Sequence, residues 1–181
     1  RRYNPGKYRE MAAHIATVMP HAALGIDVIV GFPGETDELF EETVTFLESL
    51  PFTYLHVFTY SERENTPASS MSGQVDVSLR RARTQKLRAL SNERTTRFHA
   101  EQCGSTRVMI PEGFDPTTGT WDGWTENHVY VRLEAPSTLM KKPYRVLLQQ
   151  VERDAVRVVP LETLELTTPP ILPVLNNMEH A

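Results

Sequence analysis

The residues able to do chemistry in this 181-residue chain are few, and their spacing narrows what they can do. A single cysteine, Cys103, excludes an internal disulfide framework and any metal or cluster site built from several cysteines of this chain. It reads instead as a small buried hydrophobe at a junction. His14 and His21 sit on or beside a helical pattern without ligand spacing, and His56 lies inside an apolar run where a core histidine is the plainer reading. No Ser-His-Asp or zinc arrangement can be assembled from spacing, so neither a catalytic residue nor a metal ligand is nominated.

The stretch "IDVIVGFPGETDELFEET", residues 26 to 43, is more informative. A β-branched run breaks at a turn with two glycines and a proline, and an acidic amphipathic segment follows. A phosphate cradle is a poor reading. The turn lacks the Lys and hydroxyl pair of a P-loop and does not fit G-x-G-x-x-G. Glu35, Asp37, Glu38 and Glu41 would also repel an anion at that helix start. The plain alternative is a tight strand-to-helix connection. In a parallel α/β sheet, however, ligands gather at the C-terminal ends of strands, where this turn lies.

Charge is segregated along the chain although the net is only −4. Residues 35 to 48 carry six acids and no base. Residues 80 to 97 carry Arg80, Arg81, Arg83, Lys86, Arg88, Arg94 and Arg97 against Glu93 alone. An isolated charge run is usually a solvated face. Here it leads toward further bases at Arg107, Arg132, Lys141, Lys142 and Arg145, which together form a candidate RNA-binding surface.

The elements that must position these groups follow from pattern. Asn4 and Pro5 start a helix whose stripe is Met11, Ala12, Ile15, Val18 and Met19, and Pro20 stops it. "LGIDVIV" predicts a strand buried on both faces. Thr36 caps a helix burying Leu39, Phe40, Val44, Leu47 and Leu50, and "YLHVFTYS" predicts a second buried strand, completing a βαβ unit. After the turn-rich "RENTPASSMSGQVD" comes a long helix with Leu79, Ala82, Leu87, Leu90 and Phe98 available for packing. Beyond Cys103 the period changes to two, and five short alternating segments predict a small five-stranded antiparallel barrel. The tryptophans of "WDGW" read as barrel packing rather than base-stacking platforms, with room for one to be partly exposed. The Pro-rich tail is expected to be extended or disordered. No apolar run is long enough to span a bilayer, which predicts a cytoplasmic protein with no membrane partner.

"DVIVGFPGETDELFEET" followed by "HVFTYSERENTPAS" resembles the C-terminal half of the radical S-adenosylmethionine domain in the methylthiotransferase family, and "GWTENHVYVRLE" resembles the TRAM domain that ends those proteins. The resemblance implies an α+β chain. Residues 1–100 would be the C-terminal βα units of a partial (β/α) radical barrel with a basic linking helix, 101–166 the TRAM barrel, and 167–181 a tail. "RRY" at the start, Asp27, and His56, Val57 and Phe58 look most like the branch that methylthiolates N6-threonylcarbamoyladenosine at position 37 of tRNA. Thr59 and Asn65 stand where the family often has proline and glycine, and Asn tolerates positive φ.

By the same resemblance, Val30, Gly31 and Phe58 flank S-adenosylmethionine. Two 4Fe-4S clusters belong to the full-length protein through cysteines this chain lacks, so the chain alone is expected to bind no cofactor and to be inactive. In such enzymes, reductive cleavage of S-adenosylmethionine gives a 5′-deoxyadenosyl radical that activates adenine C2 for sulfur insertion, and a second S-adenosylmethionine supplies the methyl group. The implied partners are the anticodon arm of tRNA and the missing N-terminal domains of the same polypeptide. A truncated barrel exposes apolar strand surface, so self-association is a further expectation. Two other readings compete: a stand-alone TRAM-type RNA-binding module without catalysis, and a metabolic βα-barrel fragment whose basic helix is only a solvated face.

Overall fold

The structure, a computed structural model, describes residues 4–139 and 141–163; the "RRY" start and the expected tail at 167–181 lie outside them. Helix α1 (Pro5–Val18) begins where local chemistry places it. Asn4 has extended backbone and its side chain accepts the Lys7 N–H at 2.8 Å, while Pro5 occupies the first turn. The packing of α1 departs from expectation. Only Ala12 is buried, and Met11, Val18 and Met19 stand in solvent.

Strands β1 (Gly25–Val30) and β2 (Tyr54–Thr59) pair in parallel, with Gly25 opposite Tyr54 and Val30 opposite Thr59; helix α2 (Asp37–Glu48) joins them. This is the expected βαβ unit, but not a strand pair buried on both faces. Ile26, Val30 and Leu55 enter a core with Phe40, Val44, Leu47, Leu50 and Phe52, and the fully buried Leu87 joins them from helix α3 (Val77–Gln102). The opposite face carries Asp27, Ile29, His56 and Phe58, all exposed. His56 is therefore not a core histidine. The described residues contain a two-stranded parallel sheet, not a closed (β/α) barrel.

Helix α3 follows the free edge of β2 and satisfies it with hydroxyls. Ser91 Oγ accepts the Leu55 N–H at 2.9 Å, Thr95 Oγ1 donates to the Thr53 carbonyl at 3.3 Å, and the Thr59 and Thr84 hydroxyls lie 2.7 Å apart. A backbone edge that would otherwise need water or another strand is thus partly paired by side chains. At its C-terminal end α3 places Phe98 in a second core.

That second core fills a ring of five strands: β3 (Thr106–Asp115), β4 (Thr120–Thr125), β5 (Tyr130–Glu134), β6 (Tyr144–Glu152) and β7 (Ala155–Thr163). Each strand has two neighbours, and the ring closes in the order β3-β4-β5-β7-β6. The expectation of a wholly antiparallel barrel is corrected at one seam, where β5 and β7 run parallel with Val131 opposite Val156. Met109, Val129, Val131, Leu133, Val146, Leu148 and Val156 have no exposed surface. Gly123 is required by this closure, because a Cβ there would lie 2.3 Å from the Ile110 carbonyl oxygen, next to the register shift at Pro111/Gly113. Cys103 packs at the edge of this core as expected, and its Sγ donates to the His99 carbonyl. Burial holds its thiol pKa above the usual value.

Candidate functional site

The turn after β1 lies beside the end of β2, and the Tyr60 N–H donates to the Val30 carbonyl at 2.8 Å. Gly31 and Gly34 have φ of 78° and 86°, which glycine adopts without penalty. The turn is held from outside by two arginines of α3. Arg83, 3% exposed, donates to Glu35 Oε1 and Asp37 Oδ1 at 2.6 Å each, and Glu35 Oε1 also accepts the Gly31 N–H at 3.0 Å. Arg80, 5% exposed, donates to the carbonyls of Val75 and Tyr60 and reaches Glu62 at 2.6 Å. The hydrogen bond from Arg80 holds the Glu62 carboxyl below its ordinary range. Both guanidiniums also lie over rings, Arg80 over Tyr60 and Arg83 over Phe40.

This arrangement changes the reading of two residues expected at a cofactor. A Cβ on Gly31 would lie 2.4 Å from Arg80 Cγ, so Gly31 is glycine to admit the arginine stem. The Val30 side chain is 1% exposed in the βαβ core and presents nothing to a ligand. Phe58, by contrast, is 53% exposed on the open face of the sheet, paired in register with Ile29. Phe32 is also exposed and meets Tyr60 edge to face. The apolar surface at the strand ends is therefore Ile29, Phe58 and Phe32. Asn65 does adopt the left-handed conformation, with φ of 63°.

The basic residues also divide. Arg80 and Arg83 are inward clamps, which removes them from a solvent-facing basic face, whereas Arg81 is exposed. Helical spacing carried the signal, since 80, 83 and 84 share the stripe that includes buried Leu87 and 81 does not. On the barrel, Arg107 donates to Gln102 Oε1, and Arg132 pairs with Asp122 at 2.9 Å and with Asp154 at 3.8 Å. Lys141, Lys142 and Arg145 are exposed, and Lys141 Nζ donates to the Glu112 carbonyl. Among the described residues no group of three His, Cys, Asp or Glu could hold a metal ion, and no helix is long and apolar enough to cross a membrane.

No protein-family model matches the chain. Individual relatives do. It is 36% identical over 153 residues, 84% of its length, to a tRNA-2-methylthio-N(6)-dimethylallyladenosine synthase of Bacillus subtilis. It is 33% identical over 173 residues, 91% of its length, to a threonylcarbamoyladenosine tRNA methylthiotransferase of the same organism. The chain belongs to the methylthiotransferase family. It spans 30% and 38% of the lengths of these two methylthiotransferases. A match over 153 of the 181 residues takes in part of the βαβ unit and part of the barrel.

Proposed function

We propose that this chain is part of a radical S-adenosylmethionine methylthiotransferase that modifies C2 of an N6-substituted adenosine at position 37 of tRNA, with N6-threonylcarbamoyladenosine as the finer reading. The observation that carries the reaction class is the similarity over 84–91% of the chain to enzymes named for tRNA methylthiolation. Asp27 and the His56-Val57-Phe58 run support the threonylcarbamoyl branch.

The chemistry divides between this chain and residues it does not contain. One cysteine cannot hold a 4Fe-4S cluster, so the clusters of the family do not fit here and no step is assigned to them. For S-adenosylmethionine the fit is that of one wall. Phe58 and Ile29 offer an apolar face to its adenine, and the Arg80 and Arg83 clamps fix the adjacent turn, so that the wall costs little reorganisation on binding. When bound, that molecule supplies the radical and methyl-donating chemistry. This wall is also the surface on which the chain would meet the remainder of its barrel, or a second copy of itself.

We assign residues 1–100 to the radical domain and 101–166 to the TRAM domain. The tRNA contact falls to Arg81, Lys141, Lys142 and Arg145, while Arg107 and Arg132 position their own surroundings. The test is mass spectrometry of tRNA nucleosides from a strain lacking the gene for the longer protein and complemented with it. Methylthiolated threonylcarbamoyladenosine should return. Return of a methylthiolated isopentenyl-type adenosine instead would reassign the branch, and return of neither would reject the reading.

A further inference from the structure

A cleft of about 320 Å³ lies where the βαβ part meets the barrel. Its walls come from three places: Tyr54 and His56 on β2, His99 on α3, and Trp124, His128, Tyr130 and Asp154 on the barrel. Five rings run across it in continuous contact. His56 meets Tyr54 edge to face at 5.1 Å, and Tyr54 meets His128 at 5.1 Å. His128 stacks on Trp124 at 4.4 Å with planes 16° apart, and Trp124 meets Tyr130 at 4.9 Å. His128 has φ of 65°, an uncommon conformation for a non-glycine residue, and it sets the imidazole between Tyr54 and Trp124. Trp121, inside the barrel, is buried, but Trp124 keeps 38% of its surface in solvent.

Resting on the tRNA reading above, we infer that this seam cleft receives one unpaired nucleobase of the bound RNA, stacked on the Trp124–His128–Tyr54 ladder with its amino edge toward Asp154. The size selects a single base with its sugar, because 320 Å³ is at the lower end of ligand pockets. The ring sequence selects a planar π-surface, the way proteins hold splayed bases of single-stranded RNA. Asp154 is an acceptor near the ladder and Thr95 lies in the wall, so the polar edge favoured is one that donates N–H, and a phosphate is disfavoured there. Burial lowers the pKa of His99, with a second contribution from His128, so His99 adds no charge to the floor at neutral pH. The cleft thus takes a neutral flat group and leaves the phosphates to the basic side chains outside it.

The experiment uses the 181-residue chain and a fluorescein-labelled RNA stem–loop with a seven-nucleotide loop, with 2-aminopurine placed at each loop position in turn. Wild type should bind the stem–loop more tightly than the same stem made fully duplex, and one loop position should be strongly quenched. Trp124→Leu and His128→Asn should each weaken stem–loop binding by roughly 5- to 150-fold and abolish that quenching. Asn suits the left-handed backbone at 128, so the second variant keeps the fold if the first does not. Equal affinity and quenching in both variants would overturn the seam site while leaving tRNA binding intact. Absence of any binding by wild type would overturn both the site and the tRNA reading. Acrylamide quenching of Trp124 in the longer protein should be as efficient as in this chain. Protection without RNA would show that polypeptide fills the cleft, and would also overturn the inference.

Discussion

The barrel and the βαβ part bury their apolar residues to different degrees, although one helix packs against both. In the barrel every strand has two neighbours and seven core residues have no exposed surface. In the βαβ part, two strands share one covered face, and Ile29 and Phe58 on the other, near the strand ends, are 59% and 53% exposed. Apolar burial stabilises in proportion to area removed from water, so the barrel core, completed by Phe98 of α3, is covered while the sheet leaves Ile29 and Phe58 in solvent. The barrel closes on itself, and the sheet leaves one face open.

Both tryptophans of the chain lie on β4, so intrinsic fluorescence reports the barrel while helical circular dichroism reports α1 to α3. That separation allows the contrast to be broken in either half. The largest effect expected is Leu133→Ala, which empties a fully buried barrel position and should cost about 2–5 kcal/mol. In urea, the fluorescence transition should move to lower concentration further than the helical one. Coincident shifts would mean that the two cores unfold as one. Arg83→Leu attacks the other half, leaving the Glu35 carboxylate partly buried with only the Gly31 N–H as its remaining partner of these two. A loss of about 3 kcal/mol is expected, seen first in the helical signal.

The sign of a third effect follows from His99. Its folded pKa lies below that of an unfolded histidine, near 6.5, so the unfolded chain takes up a proton first as pH falls. Stability present above that value is lost as pH drops through it, with a slope approaching about 1.4 kcal/mol per pH unit, until the folded form also protonates. Comparing wild type with His99→Asn between pH 7.5 and 5.5 isolates this term, and an unchanged slope would show that His99 charges in the fold. The smallest effect is Phe58→Ser, which should alter urea stability by under about 0.5 kcal/mol and reduce self-association in sedimentation velocity. A large loss of stability would mean that this face is already covered.

What could be read in the sequence depended on how local its cause was. The Asn4 cap, the Pro5 start, the Thr36 cap and the period-two segments of the barrel are set by neighbours a few positions away, and all are found. The stripe of Met11, Val18 and Met19 and the apolar run of β1 were expected to be covered, yet what covers an apolar face is a tertiary matter that periodicity does not contain. The basic run around residue 80 was legible as charge but not as direction. Arg80 and Arg83 find Glu62, Glu35 and Asp37, up to 48 positions away, through the fold alone. The ring ladder was invisible for the same reason. Tyr54 and His56 lie far along the chain from Trp124 and His128, and the tryptophans were read as packing rather than base-stacking platforms, with room for one to be partly exposed, as Trp124 is.

Helix α3 adds a constraint of phase. Arg80, at the turn clamp, and Phe98, in the barrel core, are eighteen positions apart, which is about five whole turns and about 27 Å along the axis. The two anchors therefore emerge on the same side of a rod whose pitch acts as a gauge. Inserting one residue between Ser91 and Phe98 would swing everything beyond it by about 100°, whereas inserting seven would restore the angle to within about 20° and lengthen the span by about 10 Å. Angle and distance between the two halves are thus separately adjustable by indel length. Natural variation in this helix should come in steps that preserve angle before it preserves length.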